Sequence, residues 1–257
     1  MEPNKEFDYS LREIVNFAKD WRKQTYKEKP FFRQIFSRYK IKNVLEPKCF
    51  LGDRLASLID SLDFAIGLET DYNLYLGAKE KLLSLPNIHI INSGIIEYNP
   101  QDERSFPERY DAILALDNQL PQYANLDNFA KYLKSAEKLL LPKGVLIIEL
   151  FNYNKVLKDE FYNFSKIPLI CNSEKYYMSR QMKIFDEDIL KYLVDLYDIS
   201  GHHVKSFTEL HLILTKKRLF DWLKKSGFKV ESFCGDYDMN DYNIDKSSKL
   251  ILVASKL

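Results

Sequence analysis

The chain has 257 residues, 46% of them hydrophobic, enough for one large α/β domain or one domain with an inserted lid. Its 38 basic and 37 acidic residues leave a net charge of +1, so a bulk electrostatic grip on nucleic acid, which needs clustered and uncompensated Lys and Arg, is not expected. Cys49, Cys171 and Cys234 lie far apart without a CxxC spacing, which argues against a disulfide framework or a metal site; the polar start MEPNKEFDYSLRE lacks an apolar signal segment, and no run reaches the roughly 18 apolar residues of a membrane span, so a reducing cytoplasm is the expected setting.

Residues 8–40 read as helices, with Ile14, Phe17 and Trp21 on a buried stripe and Lys29-Pro30 as a break before a second helix over Phe31–Tyr39. From residue 43 the period changes. Short apolar strands are predicted at Asn43–Glu46, Phe64–Glu69, Asn87–Asn92, Tyr110–Leu116 and Val145–Leu150. Helices over Asp53–Ser61, Tyr72–Leu85 and Leu126–Leu141 fall between them, and a polar loop covers Asn99–Arg109. After residue 155 three strands in sequence, Lys175–Phe185, Ile189–Ile199 and Ser206–Thr215, are separated by polar turns and predict an antiparallel insert. A helix over Lys217–Lys225, stopped by Gly227, leads to last strands at Phe228–Phe233 and Lys249–Ser255.

Strands alternating with helices, and apolar along their whole length, predict a doubly wound, Rossmann-like α/β sheet covered on both faces. The expected organisation is N-terminal helices over 1–40 and a domain over 41–257 with the β insert at about 172–215.

Residues 44–52, Val-Leu-Glu-Pro-Lys-Cys-Phe-Leu-Gly, carry the chemistry. An apolar strand ends in an acid and enters a loop whose last residue is Gly52. This segment resembles the first motif of class I S-adenosylmethionine-dependent methyltransferases, in which an acid precedes three alternating glycines. Glu46 matches the acid, Cys49 a common filler and Gly52 the last glycine, whereas Lys48 and Phe50 replace the first two. Such glycines allow close backbone approach to a ligand, so side chains at these positions would crowd the cofactor or push the loop aside.

Further segments follow in the family's order. Gly67-Leu68-Glu69 ends the second strand about twenty residues after Glu46, where the family's acid binds both ribose hydroxyls. Asn92-Ser93-Gly94 ends the third strand, at the adenine position. The segment Tyr110 to Leu120 is similar to the fourth-strand motif, and Leu141-Pro142-Lys143-Gly144 to the turn into strand five, with Lys143 in place of a glycine. Phe151-Asn152-Tyr153-Asn154, the insert, Gly235-Asp236-Tyr237-Asp238 and the last strand resemble the small-molecule methyltransferases of the glycine and sarcosine type.

The resemblance implies a seven-stranded methyltransferase sheet with the antiparallel insert as lid. It assigns S-adenosylmethionine to Glu46, Lys48, Cys49, Gly52, Glu69, Thr70, Ser93, Gly94, Leu116, Asp117 and Asn118. Its expected partner is a small-molecule acceptor, methylated on N or O; a homodimer is an open option. Candidate acceptor residues are Tyr123 after strand four, Asn152 and Tyr153 after strand five, and Arg180 and His211 on the insert. Arg180 suits a carboxylate, and His211 or Tyr123 is the candidate catalytic group. His202-His203 reads as an exposed turn and Lys216-Lys217-Arg218 as a solvated helix start. The alternative is a fold that has lost the cofactor and serves a protein partner, which Lys48, Phe50 and Lys143 favour and the acids oppose. A nicotinamide oxidoreductase needs the glycines more strictly, and an RNA methyltransferase fits poorly with the near-zero charge.

Overall fold

In the computed structural model, residues 8–102, 106–171 and 173–257 are described. The polar start before Asp8 and positions 103–105 of the predicted loop lie outside them.

Helix α1 (Leu11–Ala18) is started by a capping box, Ser10 and Glu13 exchanging side-chain and backbone bonds. Helix α2 (Trp21–Tyr39) follows after Asp20. The expected break at Pro30 does not occur, and α2 runs through it. Pro30 and Tyr26 are both exposed, so the carbonyl that loses its N–H partner lies on the solvent side and the helix bears the loss. Ile14 is fully buried, but Phe17 is 37% exposed and packs edge-on against Tyr9 at the rim. The Trp21 side chain is outside the described set.

The main sheet contains β1 (Asn43–Pro47), β2 (Phe64–Leu68), β3 (Ile88–Ile91), β4 (Tyr110–Ala115), β5 (Leu140–Phe151), β10 (Phe228–Cys234) and β11 (Lys249–Lys256). Their order is β3-β2-β1-β4-β5-β11-β10. The first five run parallel, and β11 is antiparallel to both neighbours. Strand order reverses between β1 and β4, which opens a crevice at their carboxyl ends. Helices α3 (Asp53–Leu58), α4 (Tyr72–Lys81), α5 (Leu126–Leu139) and α7 (Lys216–Lys225) make the connections. Two apolar cores cover the two faces. One joins Phe31, Phe32 and Ile35 of α2 to Val44, Leu114 and Ile147; the other joins Ile113, Leu146 and Phe129 to the lid.

The turn expected at Leu141–Gly144 is instead part of β5, with Lys143 left-handed (φ 65°) where the register against β4 slips. The insert has four strands, not three: β6 (Phe161–Cys171), β7 (Glu174–Ile184), β8 (Ile189–Asp198) and β9 (His203–Leu212), entered through α6 (Tyr153–Asp159). Strand β6 was hidden by Pro168 and by an irregularity between Phe164 and Ile167, both tolerated because β6 is an edge. The inner face of this sheet, including Met178, Met182, Leu190 and Val194, belongs to the same core as the main sheet. The lid is therefore anchored by burial rather than hinged on a loop.

Candidate active site

The loop after β1 keeps the shape that glycines would give it. Lys48 (φ 53°), Phe50 (φ 56°) and Gly52 (φ 72°) are all left-handed. For an L-residue that conformation costs about 1–2 kcal/mol. Gly52 caps α3, and a Cβ there would stand 2.4 Å from Leu82. Cys49 is buried, its amide donates to the Leu68 carbonyl at 3.0 Å, and burial pushes its thiol well up. The bare Gly67 opposite leaves room for its sulfur.

Glu69, at the end of β2, is fully buried and takes four hydrogen bonds. The Phe50 amide donates to it at 2.9 Å and the Asp71 amide at 3.0 Å. Arg12 of α1 donates through both Nε, at 3.0 Å, and a terminal nitrogen. The Phe50 ring lies beneath two cations, Arg12 at 4.4 Å and Lys19 at 4.3 Å from its centroid. Thr70, Ser93 and Gly94 sit beside one another past Glu69; a Cβ on Gly94 would meet Glu97 first and Thr70 at 3.7 Å.

A buried ionic cluster lies on the other side of the loop. Arg54 of α3 donates to Glu28 at 2.7 Å, to Glu46, and to Asp117 at 3.1 Å. Asp117 also pairs with Lys19 at 2.7 Å and accepts from Gln24. Burial pushes the Glu46 carboxyl up to about 7 against the pull of Arg54, and its Oε2 has no partner. Asp117 is held far below the usual carboxylate range, because Arg54 and Lys19 outweigh its burial. Lys48 is pushed down to about 8 by burial and by Arg12; its Nζ donates to Gln122 at 2.5 Å and lies 5.4 Å from the centre of the Tyr123 ring.

Leu116 is buried, and Asp117 and Asn118 are consecutive left-handed residues that turn the chain out of β4. Asn118 accepts from the Phe151 amide at 3.0 Å and donates to the Tyr153 hydroxyl at 3.0 Å, which ties the exits of β4 and β5 together. Asn152 caps α6 and holds the Ile244 and Ser247 carbonyls. Asn152 and Tyr153 thus brace the walls, and neither lines the cavity described next.

A cavity of about 260 Å³ opens between α1, the exits of β4 and β5, and the inner face of the lid. Of the sequence candidates it brings together Asp117, Asn118, Arg180 and His211, joined by Phe50. Tyr123 instead packs on Tyr132, its hydroxyl pushed up by burial. Glu46, Lys48, Cys49, Gly52, Glu69, Thr70, Ser93, Gly94 and Leu116 do not line the cavity; Glu69 lies behind Arg12 and Phe50, which do. Arg180 lies 4.7 Å over the Phe164 ring, and its Nε has no partner. Among the described residues no carboxylate pairs with it.

Sequence reading missed Arg12, Lys19, Arg54, Glu149, Tyr192 and Glu209, which lie in α1, in α3 or in the walls and lid. Only Glu209 left a signal: it is two residues from His211 on a strand, hence on the same face.

No family model matches the chain, and no curated protein matches it in sequence. Solved structures do match. A methyltransferase dependent on S-adenosylmethionine from Clostridium acetobutylicum superposes with a TM-score of 0.72 at 15% identity, covering 95% of each chain. The fold is that of the class I methyltransferases. CalS10, an amino pentose methyltransferase of Micromonospora echinaspora solved with S-adenosylmethionine bound, gives 0.68 at 14% identity over 97% of this chain and 98% of its own. The sugar N-methyltransferase KedS8 of Streptoalloteichus gives 0.69 at 14% over 95% and 92%. The likeness to each of these neighbours extends over nearly the full length of the chain, main sheet and insert together. Among the described residues no helix is long and apolar enough to cross a membrane.

Proposed function

We propose that this chain is an S-adenosylmethionine-dependent methyltransferase acting on a nitrogen or oxygen of a small molecule held beneath the lid. One observation carries the proposal: two L-residues, Lys48 and Phe50, are kept in the strained backbone of a glycine cradle, with the buried acid Glu69 receiving that cradle's amide. Strained residues of this kind cluster at functional sites.

On this reading the polar groups divide among the parts of the cofactor. Glu69 would take the ribose hydroxyls, Thr70, Ser93 and Gly94 would flank the base, and Asp117 with Asn118 would hold the amino-acid end. The cavity of about 260 Å³ falls short of the roughly 300–1,000 Å³ of small-molecule sites, so Arg12 and Phe50 would have to withdraw for the cofactor to enter. The bound cofactor would supply an electrophilic methyl group. The chain's own work is to orient the acceptor, exclude water through the anchored lid, and receive the acceptor's proton. Arg180, hydrogen-bonded to Tyr192 but with its Nε free and no carboxylate beside it among the described residues, suits an anionic group on that acceptor. The likeness of the closing segment to glycine- and sarcosine-type enzymes supports a small acceptor.

A second reading has its own observation. Arg12, Lys19 and Phe50 already satisfy Glu69 and Asp117 and fill the space above them, as a fold that had given up its cofactor would do. Incubation with methyl-labelled S-adenosylmethionine and pooled small amines, phenols and amino acids separates the two. Transfer of label that Glu69→Ala abolishes supports the enzyme; no transfer to any pool, from folded protein that binds no cofactor, supports the second reading.

A further inference from the structure

His211 is 1% exposed and lines the cavity. Its two ring nitrogens differ. Nε2 meets the Glu209 carboxylate at 3.1 Å, whereas Nδ1 is buried and has no hydrogen-bond partner. A buried polar atom without a partner is costly unless something comes to meet it. The ring is stacked on Tyr192, centroids 5.1 Å apart and planes 20° from parallel, so its orientation is fixed. Its own contacts are Glu209 on its strand β9 and Tyr192 on β8, and the cavity it lines is bordered also by Arg180 on β7, Arg12 on α1 and Asp117 and Gln122 after β4. Glu209 can only accept when ionised. His211, the hydrogen bond's other partner, together with Lys48 and Arg12, holds its carboxyl low against the opposing effect of burial. The proton of a neutral His211 therefore belongs on Nε2, which leaves the lone pair on Nδ1, in a ring that borders the cavity.

We infer that Nδ1 of His211 is the proton acceptor for the molecule bound in this cavity and that Glu209 is the positioning residue that fixes its tautomer. The inference deepens, and rests on, the methyltransferase reading. It narrows the acceptor to a molecule whose attacking atom must shed a proton, a phenol or a protonated amine, rather than a tertiary amine or a thioether. The acceptor's O–H or N–H bond breaks, its proton passes to Nδ1, and the electron pair left on oxygen or nitrogen is the one that attacks the methyl group of the sulfonium donor. The resulting imidazolium is balanced by Glu209.

Two measurements test this without any turnover, so they stand or fall apart from cofactor binding. Nitrogen-15 imidazole spectra of the whole protein at alkaline pH, with the His211 signal identified by its loss in His211→Gln, should show one tautomer, protonated at Nε2. Glu209→Gln, which keeps the shape but can donate as well as accept, should yield a mixture. A wild-type proton on Nδ1, or a tautomer indifferent to Glu209→Gln, overturns the inference. The second probe is 4-nitrophenol, whose ionised form absorbs visible light. At a pH where the free phenol is mostly protonated, wild type should shift it toward phenolate and His211→Gln should not. No shift with wild type, or an equal shift with the variant, overturns the proton-acceptor role.

Discussion

Lys48 and Phe50 hold the left-handed backbone of a glycine loop at about 1–2 kcal/mol each. The Phe50 ring returns part of that through burial and its two cations. Phe50→Gly removes strain and packing together, so unfolding in urea should show a change within about 2 kcal/mol, smaller than the 3–5 kcal/mol or so of an ordinary buried Phe truncation. The same change should tighten binding of S-adenosylhomocysteine by clearing the cavity. Glu46 gives a second prediction. Its carboxyl is raised to about 7 in the fold, above its unfolded value, so the native state binds the extra proton between roughly pH 4.5 and 7. The stability it contributes is therefore fully present at the acid end of that window and is lost as pH rises through it. Asp117 is depressed and acts the other way: its contribution is present above its unfolded value and is lost only as pH falls into the acid range. Thermal melts from pH 5 to 8 should decline with pH more steeply for wild type than for Glu46→Gln; parallel curves would refute the raised Glu46.

Among the elements, α2 offers the cleanest test. Pro30 sits exposed in its middle, without an amide to donate. Pro30→Ala should raise stability by about 1–3 kcal/mol, read from the urea midpoint. The strands β1 to β5, β10 and β11 were legible because each is an apolar run closed by polar turns. Strand β6 was not, because Pro168 and Ser165-Lys166 mask an edge whose pairing partner is fixed only in three dimensions. The same limit governed the site. Glu69, Asp117, Asn118, Arg180 and His211 could be named from motif order and strand position. Arg12 and Lys19 could not, since their roles depend on α1 lying across the loop, 57 residues from Glu69 in the Arg12 pair. Asn152 was named and does line a second pocket, yet its hydrogen bonds are those of a cap.

At the scale of the molecule, the crevice between β1 and β4 is roofed twice: by a β-sheet sharing the main core, and by the short helix α1, which sends Ile14 into that core and holds Glu69 and Asp117 through Arg12 and the following Lys19. Glu69 and Asp117 are the two acids that the proposed reading gives to the cofactor, so on that reading the cofactor would compete with the helix segment for them. Whether the cofactor site persists beneath α1 can be read by calorimetry, with S-adenosylhomocysteine titrated into wild type and Arg12→Ala. Both proteins should bind, Arg12→Ala about tenfold more tightly, because the freed Glu69 no longer has to exchange a charged hydrogen bond for the ribose. Absence of heat with both proteins, each showing a cooperative melt, would contradict its persistence.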